Sequence, residues 1–493
     1  MIDTLKLRPA CVALLLAFSS VSMAQIPEVP TYPEDISWDT SCDPSDASCK
    51  LFDENSSFTE ATKIDSQGVN TVRQAIIGQQ KAIGEINDQK LIVTGIPSGS
   101  SGVDLIYASS TSYSGPALTN ASTGNSNTLL IELNNKDSSP LILNGVDNVG
   151  EPTVAASAHQ GGVANNNSLL IRNSDIHHGT DGRKRNFVTA AYVWSQMDPE
   201  KSDGDLATYN NNTVVIENSS LRGGAEGAAN SHNINLAAVY LVGPLGSNFG
   251  DLSPFEANYN AIWIKGSELD INSAYVAYNN GSSVKMSEAN HNLFWSEDAK
   301  INLSFISKSW LENDTLKKQI GNSRLVAADK FDSTSNNILH LKNTHIEIDQ
   351  ELLVARAVED GYGRLTIAAA TAGSNAFNNL TELVDVSFSV ISSKEEFVNK
   401  KPLITIGSAG ASIYNDEAEK KIAEGNVTRI LGVNQTSDWT LDGSTDFRIY
   451  GGLSVFTPTD LSGASDAGTE ASVLNNAVEI SNVKLRNAEI YGG

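Results

Sequence analysis

The feature that most constrains this chain is a phrase, NNNTVVIENSSL at 210–221, that returns roughly every forty residues. With Ile216 as anchor, equivalents stand at Ile131, Ile171, Ile264, Leu303, Leu341, Leu383, Leu441 and Ile480. In chain order the spacings are 40, 45, 48, 39, 38, 42, 58 and 39. Four residues before the anchor come Asn127, Asn167, Asn212, Asn260, Ala299, Asn337, Asn379, Ser437 and Asn476. Two after it come Leu133, Asn173, Asn218, Gly266, Phe305, Asn343, Asp385, Gly443 and Asn482. The β-branched centre, Thr213 to Glu217, suits a strand with neighbours on both sides. Asn at either end tolerates left-handed backbone and bonds main chain at a tight corner. One good strand cannot close a core by itself, but stacked copies can. In such a stack each column meets itself about every 4.8 Å, so aliphatic ladders line the inside and Asn ladders hold the corners. The expectation is an all-β solenoid with an Asn ladder at Asn127, Asn167, Asn212, Asn260, Asn337, Asn379 and Asn476.

Around the anchor, each unit carries a second strand ahead of it, as in FVTAAYVW (187–194), NLAAVYLV (235–242), LLVARAV (352–358) and PLITIGS (402–408). A third follows the corner, as in SELDINS (267–273) and HIEID (345–349). About nine such repeats fill 91–493, with one or two coils each. Polar loops at 195–210 and 243–259 project from one corner, where repeat proteins commonly bind. Stretches 310–320 and 416–424 read as helical decorations. Before the repeats, Val72, Ile76, Ile83 and Ile86 recur at helical spacing, which predicts a helical N-terminal cap over 69–90. Residues 25–68 read as a Pro-rich, polar linker with a small disulfide loop.

The chain opens on an export address. Lys6 and Arg8 precede the apolar run 12–18, and Ser22-Met23-Ala24 gives a small-residue cleavage site, so 1–24 is a signal peptide. Cys11 leaves with it, and Cys42 and Cys49 are expected to pair in an oxidising compartment. No later stretch has the 18 apolar residues of a membrane span. A net charge of −24 repels nucleic acid, which is excluded as a partner.

An export signal followed by N-N-[ST]-[LV]-[LV]-I-x-N-S repeats resembles the passenger domains of type V autotransporters, which are right-handed parallel β-helices of pectin-lyase-like fold. NNNSLLIRNSDI (165–176), NNNTVVIENSSL (210–221) and NNAVEISNVKLRNAEI (475–490) carry the likeness, over 91–493. It implies an adhesin-like role at the surface of a Gram-negative cell or outside it, toward a glycan, a protein or a second copy. It also implies an outer-membrane barrel, for which this chain has no counterpart up to Gly493. The repeat array is therefore expected to be C-terminally open, as a fragment of a longer reading frame.

Two other functions fit the fold. Some parallel β-helices cleave polysaccharides, and NSDIHHGTDGRKR (173–185) gathers Asp175, His178 and Asp181 as candidate acid and base groups. All fall within one coil, however, so they read better as a solvated loop, and no catalytic residue is assigned. A spike-like β-helix of a phage or capsule is the remaining alternative. No serine-hydrolase elbow occurs. No cofactor or metal is expected; calcium is the one ion that SDGD (202–205) and DGSTD (442–446) could attract.

Overall fold

The computed structural model describes residues 26–492 except 44, 65–69, 82–83, 101, 112–122, 136–138, 145–151, 161, 180–185, 195–206, 224–233, 243–254, 280–286, 304–321, 350–363, 392–402, 413–419, 435, 440–445 and 457–469. Within these the chain is a right-handed parallel β-helix without any helix. Its spine is an eleven-stranded sheet in which each of the nine inner strands pairs with the one a coil before and the one a coil after. Thr213–Glu217 lies between Ser168–Arg172 and Ala261–Lys265, in register and parallel to both.

The register joins Val93, Ile131, Ile171, Ile216, Ile264, Ser296, Leu341, Leu383, Ile430 and Ile480 in one column. Two of the sequence anchors belong elsewhere. Leu303 sits in the neighbouring sheet opposite Ile271 and Ile348, and Leu441 lies outside the described residues. Their places are taken by Ser296, which bonds Thr344 inside the coil at 3.1 Å, and by Ile430. Each repeat therefore winds one coil.

A seven-stranded sheet forms a second face, from Leu141–Leu143 to Ser387–Ile391. The remaining strands build a bent third face. Long strands such as Asn322–Ser335 and Arg364–Phe377 turn a corner within themselves, so the set is the wall of a helix and not a barrel with a lumen. The bend explains the Ala pairs. Ala190 and Ala191 are fully packed where the strand folds over, one against the main core and the other against a second cluster, and the following coils place Ala238 and Val239, then Val276 and Ala277, at the same crease. LLVARAV (352–358) lies outside the described residues; the third face of that coil uses Arg364–Phe377.

The interior is one aliphatic cluster running the length of the coil, most of its members wholly buried. Each buried Val, Leu, Ile or Phe in it contributes about 1.5–3 kcal/mol by leaving water.

The expected helical cap over 69–90 is a correction. Asn70–Lys81 is a strand, antiparallel to Thr59–Ile64 and parallel to Leu105–Thr111. Ala75, Ile76 and Ile77 are consecutive and all buried, which a two-sided strand allows and an amphipathic helix does not. A Cβ on Gly78 would collide with the Ala108 carbonyl, so glycine lets the two strands meet. Lys420–Glu424, expected as helix, is likewise a strand; 310–320 and 416–419 lie outside the described residues.

Residues 26–43, expected as part of a tether, lie along the outer side of the spine sheet. Val29, Tyr32, Ile36, Trp38 and Cys42 pack on an apolar stripe that includes Ile92, Leu130, Leu170, Val215, Trp263 and Trp295. The strap then turns into Cys49–Phe52, the first strand of the spine, and the expected Cys42–Cys49 disulfide closes the turn with Cα atoms 5.7 Å apart.

Candidate binding face

Two columns of asparagine and left-handed backbone frame the strands and set what faces outward. Asn127, Asn167, Asn212, Asn260, Asn292, Asn337, Asn379, Asn426 and Asn476 form one stack. Each side-chain amide donates to the next Oδ1 at 2.8–3.1 Å. That same oxygen accepts the backbone N–H of the residue below it, as Asn212 does from Asn167 and Asn260 from Asn212. Asn292 and Asn426 are the members sequence reading missed. Just ahead of the stack the backbone is left-handed at Asn166, Asn211, Tyr259, His291, Asn336, Asn378, Gly425 and Asn475. After the anchor it is left-handed again at Asn173, Asn218, Gly266, Asp298, Asn343, Asp385 and Asn482. These corners close the coil and hold every strand at a fixed angle to its neighbours.

Past the second corner each chain enters the seven-stranded sheet, whose strands alternate strictly. In Glu268–Ile271, Lys300–Leu303 and His345–Asp349 the aliphatic residues face the core and the polar ones face out. Stacking then brings residues from distant parts of the sequence into two outward columns. One reads Asp175, Ser220, Glu268, Lys300, His345, Ser387; the other contains His177 and Arg222, then Asp270, Asn302, Glu347 and Ser389.

Charge alternates along this face. Arg222 reaches Asp175 at 3.7 Å and Glu268 at 3.9 Å, while Lys300 reaches Glu268 at 3.6 Å and Glu347 at 3.3 Å. Arg222, Glu268 and Lys300 keep 39–49% of their side-chain surface in water. Exposed pairs of this kind contribute little to stability, below about 1 kcal/mol each. A groove of about 710 Å³ runs beside them, bounded by Arg222, Glu268 and Lys300 on one flank and by Gly266, Asp298 and Asn343 on the other.

The three residues considered for catalysis do not converge. Asp175 faces outward, where His177 Nε2 lies 3.0 Å from its Oδ1 and the Ser220 hydroxyl donates to the same oxygen. His178 takes the opposite parity, in register with Leu143 of the core, and is 1% exposed. Asp181 lies outside the described residues, as do 202–205 and 442–445. Asp175 is thus held between a histidine, a hydroxyl and a guanidinium, an arrangement that fixes the carboxylate in place. Among the described residues no cluster of three or more His, Cys, Asp or Glu could hold a metal.

Two interior groups complete the search for chemistry. Ser157 Oγ lies 3.1 Å from His159 Nδ1, both buried. Burial pushes His159 down to about 4, against a small upward pull from the Val163 backbone, so the ring is neutral near pH 7. On the bent face Tyr192, Tyr240 and Tyr278 stack in register, with centroids 5.4 Å and 4.9 Å apart, and the next member of the column is Asp329, paired with Arg324. All three rings are under 9% exposed, so this ladder is packing and not surface.

Compared with protein families, curated proteins and solved structures, the chain matches none. The residues alone carry the functional argument.

Proposed function

We propose that this is a secreted, surface-displayed β-helix that acts by contact, an adhesin-like passenger whose ligand lies along the outer face of the seven-stranded sheet. The observation that carries the reading is the row Asp175, Arg222, Glu268, Lys300 and Glu347, with opposite charges one coil apart beside an open polar groove. Such a row adds little to stability, yet the stacked strands fix its spacing at about 4.8 Å per coil. A rigid, periodic, hydrated array of donors and acceptors suits an extended polar ligand, a glycan chain or a protein strand, held by many weak contacts. The export signal and the likeness to autotransporter passengers agree with display at a cell surface. The saturated surroundings of Asp175 favour contact over turnover.

Charge neutralisation tests it. The double variant R222Q/K300Q should keep its stability within about 1 kcal/mol of the parent, since both groups are exposed and no like charge is added. Attachment of the secreted chain to cells and to a panel of acidic and neutral glycans should fall at least tenfold. Unchanged attachment by a folded variant would remove this face from consideration.

A further inference from the structure

We infer that the strap, residues 26–43, is exchangeable, and that the stripe beneath it is an interaction surface for the strap of a second copy of this chain. Ile92, Leu130, Leu170, Val215, Trp263 and Trp295 follow one another in register on the outer side of the spine sheet. They make an apolar line of about 24 Å at the usual strand spacing. At the next coil this column turns polar, as His340, Glu382, Arg429 and Glu479, while the apolar cluster steps two residues along the strands to Leu293, Ile338, Leu380 and Val427. Tyr32 sits at the end of the line, its ring 5.9 Å from Trp263 and 5.3 Å from Trp295. Tyr32 therefore seats where the column changes from apolar to polar.

The contacts between them are made by side chains, apart from one strap carbonyl. The Tyr32 hydroxyl donates to Glu217 at 2.8 Å, Lys265 Nζ lies 4.6 Å above the Tyr32 ring, and Arg172 stacks 4.6 Å over Trp38. At the near end Lys90 holds Asp39 and the Ser41 carbonyl. Burial, then the bond to Glu217, pushes the Tyr32 hydroxyl well above its ordinary value, so it remains a donor at any physiological pH. Among the described residues no backbone–backbone hydrogen bond ties 26–42 to the sheet. The strap can leave without breaking a ladder, and an identical strap restores each contact it gives up, which is the condition for low-cost exchange between copies. Within one molecule the tether keeps the effective concentration near millimolar, so exchange belongs where copies are crowded. An uncovered stripe with two tryptophans would exceed what monomers usually leave exposed, which makes a second strap the natural occupant.

The test uses two full-length variants, Tyr32→Cys and Glu217→Cys, each with the native disulfide. They are unfolded together, refolded over a range of concentrations, and treated with a short bis-maleimide. Exchange gives a crosslinked heterodimer whose yield rises with concentration. It should drop at least fivefold when Trp263→Ala and Trp295→Ala are added to the Glu217→Cys partner. A single chain carrying both cysteines should crosslink within itself, which shows that the strap is seated. If that chain crosslinks internally while the mixture yields only monomers, exchange does not occur. If heterodimer forms equally well without the tryptophans, the stripe is not the surface. Neither result bears on the charged face of the seven-stranded sheet, which is read out by attachment.

Discussion

The two sides of the spine sheet obey different rules. On the inner side one column holds aliphatic residues in nine of its eleven places, from Phe52 to Ile480, with Phe52 and Ser296 the exceptions. On the outer side the same strands run from Ile92 through Trp295 to His340, Glu382, Arg429 and Glu479, changing character with what covers them. Inside, each residue touches its own kind above and below, and any change is felt by both neighbours. Outside, neighbours also meet from coil to coil, as Trp263 meets Trp295 and Glu382 meets His340 and Arg429, but the chemistry of the column changes along the way. The interior therefore specifies the fold, and the exterior is where differences between coils carry meaning.

The largest effect should come from an interior polar position. Asn212 donates to Asn260 and to the Ala164 carbonyl, and accepts from Asn167, with no exposure. Asn212→Ala would orphan buried groups on both adjacent coils and cost roughly 3–5 kcal/mol, read as a shift in denaturant midpoint. A loss below about 1 kcal/mol would mean the amide stack is ornamental.

An intermediate effect should follow pH. His159 is depressed from 6.5 to about 4 in the folded chain. The unfolded chain binds the extra proton first, so stability is intact above about pH 6.5, falls as pH drops toward 4, and then levels off. The total is roughly 3 kcal/mol. His159→Gln should flatten that part of the pH profile, and a profile left unchanged would place the acid sensitivity elsewhere.

The smallest belongs to the corners. Asn218 has φ 46° and faces solvent beside Asn173, to which it donates at 2.6 Å. Asn218→Ala should cost about 1 kcal/mol in thermal or chemical unfolding, and Asn218→Gly less, because glycine alone needs no strain there. Equal costs would assign the corner's role to the hydrogen bond and not to backbone conformation.

How much of this was legible depends on whether a residue's partner lies at a regular distance. Ile131, Ile171, Ile216, Ile264, Leu341, Leu383 and Ile480 were readable because an aliphatic anchor and a preceding Asn recur together. The coil from Asn260 to Asn292 was lost because it is only 32 residues long and ends on Ser296. Asn426 was lost because Gly425 replaces the usual left-handed Asn or Ser before it. The spacing of Val72, Ile76, Ile83 and Ile86 satisfies a helix locally, but the partner that makes 70–81 a strand lies at 105–111, and pairing overrides local preference. The alternation ISWDTSC at 36–42 is a signal for an extended strap lying on a surface, visible once Trp38 is known to face inward. Arg222, Glu268 and Lys300 could not have been assembled from sequence, since their proximity requires the register of three successive coils.

The direction of the stacking bonds has a mechanical consequence. Backbone ladders and the asparagine amides all run along the rod, while the covalent chain winds around it. Tension applied from end to end would be borne by non-covalent junctions arranged in series, each junction sharing its load among several sheets. The rod's strength would be that of its weakest junction, and it would yield one turn at a time, dissipating force over a long extension instead of snapping at once.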